Sequence, residues 1–222
     1  SFIIASYLLG SVCFGYVFAI AFGRKDFAKK DLPGGSGSFR QLGRSKGIIV
    51  GFLDTFKGMF PPLIAQWPLV ANIAKLSSSA ELPFMAKLLG LNHSYLDYYI
   101  TISIASLAVI AGHNWPIFFK FRGGGGLSTT IGLSWILVPR EFWIAFPVAI
   151  ISGFMYKYTL GKRLKFHPTP VGAGVGTLLM PILCFAFGRP LPITILYASI
   201  FVLLAVKAII LTKTYGVRIQ IS

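Results

Sequence analysis

Long apolar runs alternate along the chain with short, mostly basic polar intervals. A helix needs about 20 residues, at about 1.5 Å each, to cross the hydrocarbon core of a bilayer. Runs near this length predict membrane spans over 1–23, 47–71, 98–113, 127–139, 142–160, 171–188 and 191–212. The fourth is short, and only Pro139, Arg140 and Glu141 separate it from the fifth. Residues 76–97 have no single reading, although 82–89 has the make-up of an interfacial amphipathic helix. The expected fold class is therefore all-α, a polytopic membrane helix bundle of about seven transmembrane helices. No internal repeat divides the chain, so residues 1–222 read as one integral membrane domain.

Charge adds an orientation. With the N-terminus outside, fifteen of the 21 Lys and Arg fall in the inward segments 24–46, 114–126, 157–170 and 213–222. Only Lys75, Lys87, Arg140 and Arg189 fall outward, and Lys57 and Lys207 lie within spans. The positive-inside rule then predicts an external N-terminus, a cytoplasmic C-terminus and a multi-pass protein of the inner (cytoplasmic) membrane. A chain 55% hydrophobic and 12% charged is too apolar for a soluble domain of this length. Its net charge of +15 would suggest nucleic acid in a soluble chain. Here no basic tract is interleaved with aromatics, so the expected partners are membrane lipids and not nucleic acid. Cys13 and Cys184 lie in apolar runs without metal-ligand spacing and read as buried thiols. The chain begins at Ser1 rather than Met, and its first apolar run has no preceding basic region or cleavage pattern. That run reads as a span.

The most suggestive stretch runs from His113 and Asn114 through Lys120 and Arg122 to Gly123, Gly124, Gly125, Gly126, Leu127, Ser128 and Thr129. Four glycines expose a row of backbone N–H groups just before a helix start, where an anion can be held. Lys120 and Arg122 add formal positive charge. The alternative is a flexible hinge between two membrane helices. In the first inward loop, the small residues 34–38, with Ser36 and Ser38, precede Arg40 and make a second place to grip an oxyanion. A turn anchored to lipid phosphates explains them equally. Asp54 and Lys57 share a helix face inside the second span and read as an intramembrane ion pair that fixes packing. Lys207 reads as a snorkelling side chain, His113 as a hydrogen-bonded structural residue and His167 as a loop residue. The histidines are far apart, without a carboxylate pair or a nucleophile–base motif, so no metal or cofactor is expected.

Together these stretches resemble the acyl-phosphate-dependent glycerol-3-phosphate acyltransferase family of bacterial membranes. The resemblance is carried by Tyr7 to Tyr16, Pro33–Gly34 through Arg40 to Gly43, Leu53–Asp54 through Lys57–Gly58, and, most specifically, Gly112–His113 through Thr129. It implies transfer of an acyl chain from acyl-phosphate to the 1-hydroxyl of glycerol 3-phosphate, giving lysophosphatidic acid for phospholipid synthesis, without a metal. Departures accompany it. The family's Gly-Gly-Lys-Gly lysine is Gly125 here, so no catalytic residue is assigned with certainty. Lys29, Lys30, Asp31 and Leu32 stand where Gly-Ser-Gly-Asn is expected, Gly35 to Gly37 replace Ala-Thr-Asn, and Pro170 to Ala173 replace Ser-Leu-Ala-Ser. Leu211 to Thr214 replaces a His-Arg-Glu-Asn type motif. These losses lead to the expectation of a catalytically impaired chain serving as a structural or accessory subunit of a membrane complex, with other subunits as partners. The alternative is an active, divergent acyltransferase in which Arg40 and the amides of Gly123–Gly126 bind phosphate, helped by Lys120 and Arg122.

Overall fold

The computed structural model describes residues 2–24, 27, 29, 31–75, 95–161 and 168–215, and every regular element among them is helical. The helices are α1 (Phe2–Ser11), α2 (Phe14–Ala21), α3 (Gly35–Leu42), α4 (Arg44–Lys75), α5 (Tyr95–Asn114), α6 (Leu127–Leu137), α7 (Pro139–Tyr158), α8 (Pro168–Ala186) and α9 (Leu191–Tyr215). A 3-10 turn, Ile117–Phe119, lies between α5 and α6. The amphipathic segment expected at 82–89 and His167 fall outside the described residues.

A helix stands at each of the seven expected positions, with informative differences. The first is broken at Val12–Cys13, and α1 and α2 are bent by 42°. A break in a span releases carbonyls that lipid cannot satisfy. Lys57 Nζ supplies the missing donor, 3.0 Å from Gly10 O and 2.8 Å from Val12 O. Among the described residues four stretches are long and apolar enough to cross a membrane: Arg44–Ala65, Tyr98–Phe119, Pro168–Ala186 and Leu191–Thr214. The bent α1–α2 pair makes a fifth. Helix α6 has 11 residues, about 16 Å of rise, and is too short to cross alone. It stops because Pro139 excludes Val138 from helical geometry, leaving it at φ −139°, ψ 63°. Helix α7 is 20 residues long but carries Arg140, Glu141 and Lys157 near its ends.

Between membrane helices the hydrophobic effect adds little, so packing depends on close backbone approach at small residues. Gly58 of α4 faces the Thr129 carbonyl of α6, and Gly132 of α6 faces the Thr55 carbonyl of α4, so a Cβ at either would overlap backbone. The α1–α5 contact, at Gly10 and Gly112, is of the same kind. The core between helices holds Ile102, Val109, Leu133, Met180, Leu196, Tyr197 and Ile200. Phe52, Ile151, Phe154, Phe185 and Ile209 lie exposed on the bundle exterior, as a lipid-facing surface requires. Cys13 and Cys184 are both buried free thiols, as expected.

At one end of the bundle the buried Glu141 accepts two hydrogen bonds from Arg189, at 2.7 and 2.8 Å. Burial pushes the Glu141 carboxyl up, but Arg189 outweighs it and leaves the group below its ordinary value. The Arg140 guanidinium stacks 3.5 Å from the Phe187 ring centroid.

Candidate functional site

The two glycine-rich segments, far apart in sequence, meet at His113. Lys120 (φ 52°) and Phe121 (φ 59°) both take left-handed backbone, which turns the chain sharply after the 3-10 turn. The following segment returns to the end of α5, where Gly124 N–H donates to His113 O at 3.1 Å. A Cβ at Gly124 would collide with His113 Nε2, so the imidazole and the loop fit only because that side chain is absent. Gly34 approaches from the other segment: a Cβ there would lie 3.6 Å from Gly124 Cα and 4.0 Å from His113 Nε2.

Gly34 is the N-cap of α3 and Gly126, at φ 82°, the N-cap of α6. Neither cap has a side-chain hydrogen bond, so the first-turn N–H groups of both helices are left for another acceptor. Two helix N-termini thus converge, and their dipoles favour the same thing, an anion. Beneath them lies a buried polar cluster. Asp54 Oδ1 is 3.0 Å from Lys57 Nζ and 3.5 Å from His113 Nδ1. Ser38, Asn114 and Thr129 are fully buried, and their side-chain polar atoms have no hydrogen-bond partner. Lys207 of α9 reaches in from the far side, its Nζ 2.5 Å from Asn114 O.

The structure sorts the residues expected from sequence. Gly123, Gly124 and Gly126 are buried at the junction and Gly125 is half-buried, facing Leu211. Ser128 and Thr129 occupy the first turn of α6, and Ser38 faces Gly15 of α2. Ser36 is exposed in the first turn of α3. The small residues read as a turn form the start of a helix. Arg40 lies at the far end of that helix and is 48% exposed. Its Nε and Nη2 both donate to Asp31, at 2.5 and 2.8 Å, and that hydrogen bonding raises its already high pKa. It is committed to a carboxylate and half exposed. Lys120 and Arg122 are exposed on the turn rather than in the cluster. The Asp54–Lys57 ion pair is present as expected, but it also adjoins the site through His113. Lys207 does not snorkel: it is 3% exposed. His113 Nδ1 has no hydrogen bond. Among the described residues no group of three potential ligands could hold a metal.

Beside the site a cavity of about 530 Å³ runs between α6, α7 and α8. Its near end is formed by Leu127, Lys157 and Pro168, and its far end by Ser134, Phe142 and Met180. The lining is mainly apolar, and its near end begins in the same α6 turn that faces the glycine junction. Anion-binding backbone and an apolar channel therefore share one helix N-terminus, an arrangement suited to a ligand with a phosphate head and a hydrocarbon tail.

Known proteins resemble this chain in sequence and in fold. The sequence profile of the glycerol-3-phosphate acyltransferase family matches residues 1–215. Similar curated relatives include glycerol-3-phosphate acyltransferase 2 of Deinococcus radiodurans, 31% identical over 182 residues, covering 79% of both chains. The glycerol-3-phosphate acyltransferase of Shouchella clausii is 34% identical over 174 residues, covering 77% of this chain and 73% of the relative. That of Halalkalibacterium halodurans is 31% identical over 203 residues, covering 90% and 82%. In fold, the chain is similar to the crystal structure of PlsY (YgiH), an integral membrane glycerol 3-phosphate acyltransferase in its glycerol 3-phosphate form. The TM-score is 0.70 at 24% identity, covering 99% of this chain and 92% of that one. The lysophosphatidic acid form of the same protein gives a TM-score of 0.68. The chain belongs to the glycerol-3-phosphate acyltransferase family.

Proposed function

We propose that the protein is an active acyltransferase that moves an acyl chain from acyl-phosphate to the 1-hydroxyl of glycerol 3-phosphate, at the cytoplasmic face of a bacterial inner membrane. The observation that carries this reading is the pair of uncapped helix N-termini at Gly34 and Gly126, the second of which starts the helix that lines the apolar cavity. The first-turn amides of α3 and α6 hold phosphate oxygens, and the cavity takes the acyl chain of the donor. Held together, the hydroxyl oxygen attacks the acyl carbon and the bond from that carbon to the phosphate oxygen breaks. Phosphate leaves with the electron pair and the hydroxyl proton. Such a reaction needs positioning and charge stabilisation more than a strong base, because phosphate is a good leaving group.

This reading prefers the alternative raised by the sequence over an impaired accessory subunit. The missing lysine at Gly125 removed one cation, yet the amides, the buried cluster and the cavity all remain in one place. The relatives named above are glycerol-3-phosphate acyltransferases, and two solved neighbours hold glycerol 3-phosphate and lysophosphatidic acid, which also supports it. In the same reading the chain crosses the membrane seven times, with α6 completing its span through neighbouring helices, the N-terminus outside and the C-terminus cytoplasmic. The basic intervals 24–46 and 157–170 then fall on the cytoplasmic side by the positive-inside rule.

The test is protein purified into lipid nanodiscs and incubated with acyl-phosphate and labelled glycerol 3-phosphate. We expect label to appear in a lipid-soluble monoacyl product. No product above empty nanodiscs would overturn the proposal, and stoichiometric co-purification with other membrane subunits would return the accessory reading.

A further inference from the structure

We propose that Lys207 is the buried cation of the phosphate site, standing on α9 in place of a charge on the glycine-rich loop. The inference rests on the phosphate-binding part of the reading above. Its first support is an unbalanced charge. Lys57, the other buried lysine, has Asp54 at 3.0 Å and two backbone carbonyls. Lys207 is equally buried, at 3% exposure, yet its only hydrogen bond among the described residues goes to Asn114 O. No carboxylate pairs with it among them, and the Trp115 ring centroid lies 5.1 Å from its Nζ. An ammonium has three N–H donors, so two remain. Removing such a group from water without a counter-charge is costly unless an anion arrives.

The second support is where that charge lies. Leu204 and Leu211, one turn to either side of Lys207 on the same face of α9, flank the loop directly. A Cβ on Gly126 would lie 2.7 Å from Leu204 Cδ2, and one on Gly125 would lie 3.9 Å from Leu211 Cδ1. Lys207 therefore faces the start of α6 between them. At that helix start, buried polar atoms lack partners: both amide atoms of Asn114, beside Gly126, and the hydroxyl of Thr129 in the first turn. A cation with spare donors, an amide and a hydroxyl thus surround one helix N-terminus. That set recognises a phosphate monoester or acyl-phosphate oxyanion.

The experiment measures binding of inorganic phosphate and, separately, glycerol 3-phosphate to the purified protein by ligand-dependent thermal stabilisation. Wild type, Lys207→Met and Lys207→Arg are compared. We expect Lys207→Met to weaken binding of at least one of the two anions tenfold or more, and Lys207→Arg to stay within about threefold of wild type. Lys207→Gln, which keeps a donor and loses only charge, takes the place of Lys207→Met if that variant does not fold. A lysine that only props up the Asn114 carbonyl would lower the melting temperature and leave anion affinity unchanged, which would overturn the proposal. Wild type that binds neither anion would overturn it too. Lys207-dependent anion binding without acyl transfer would sustain this inference and sink the activity. Acyl transfer insensitive to Lys207 would do the reverse.

Discussion

Lys57 is the residue whose loss should be felt most widely, because it serves two buried structures at once. Replacing it with Met keeps roughly the same volume and removes only the ammonium. Two carbonyls at the α1–α2 break, Gly10 O and Val12 O, then lose a charged donor, and Asp54 loses its nearest counter-charge. Hydrogen bonds to a charged group contribute about 1.5–3 kcal/mol each, and stripping one partner from a buried ion pair costs about 3–5 kcal/mol. These are not additive, since one ammonium makes all three contacts. A loss of about 4 kcal/mol is therefore the working figure, equivalent to about 8–16 °C in melting temperature for a chain of this size. The assay is a double-mutant cycle of Lys57→Met, Asp54→Asn and the pair, each followed by thermal unfolding in one detergent. Neutralising Asp54 removes the orphaned charge but cannot close the helix break. The double variant should therefore recover about 2 kcal/mol relative to the sum of the single losses and still melt below wild type. Strict additivity would refute the coupling of Asp54 to Lys57. Full recovery in the double variant would refute the claim that Lys57 closes the break.

Three further outcomes are expected. Gly125 has negative φ, and a Cβ there would meet Leu211 Cδ1 at an ordinary contact distance of 3.9 Å, so Gly125→Lys should fold normally and raise glycerol 3-phosphate affinity about tenfold or more; unchanged affinity in the same thermal assay would count against phosphate binding at this loop. Deepening the far end of the cavity with Phe142→Ala or Met180→Ala should shift preference toward longer acyl donors. Each additional methylene then buried should gain about fourfold in kcat/KM, from about 0.8 kcal/mol per methylene, and an unchanged chain-length profile would remove the cavity from the reaction. Glu141 should supply stability that is present above its unfolded value of about 4.3 and lost as pH falls through its lower folded value, because its folded carboxyl is depressed. That acid-side loss, read from melting temperature against pH, should vanish in Glu141→Gln, whereas Arg189→Met should cost about 3 kcal/mol at neutral pH by stranding the buried carboxylate.

Apolar runs found a helix at each expected span position because a bilayer leaves little freedom: a run of lipid-compatible residues must bond its own backbone. What it missed follows from forces that act across the chain. Residues 35–38, Gly-Ser-Gly-Ser, are poor helix formers and read as a turn, yet they begin α3. Tertiary contact overrides propensity there, since Gly35 packs on Gly51 and Phe39 on Gly47 of α4. The break at Val12–Cys13 has no proline to signal it, only the Gly10–Ser11 pair just before it, and what holds it is legible once Lys57, 45 positions away from Val12, is seen to bond its carbonyls. From sequence Arg40 reads as available to an anion because Asp31 is nine residues distant, a separation no helical spacing rule connects.

Lys207 carries the widest consequence of this kind. From depth alone, a lysine about two turns from a helix end should snorkel, and from the loop sequence alone, Gly125 signals a site that has lost its charge. Both inferences treat a charge as belonging to the segment that encodes it. An anion responds instead to the field at a point, and that field is the same whether the ammonium arrives on the loop or across from a neighbouring helix. Buried in the bundle, such a charge is screened little by salt or water and acts at close to its full strength. A membrane enzyme can therefore lose a motif lysine and keep its phosphate site, provided another helix faces the same backbone N–H groups. The prediction specific to this chain is that Gly125→Lys and Lys207→Met compensate each other: the double variant should bind phosphate more tightly than Lys207→Met alone by about tenfold or more. If restoring the loop charge leaves Lys207→Met as weak as before, the two positions do not act on one anion, and the exchange of charge between them is refuted.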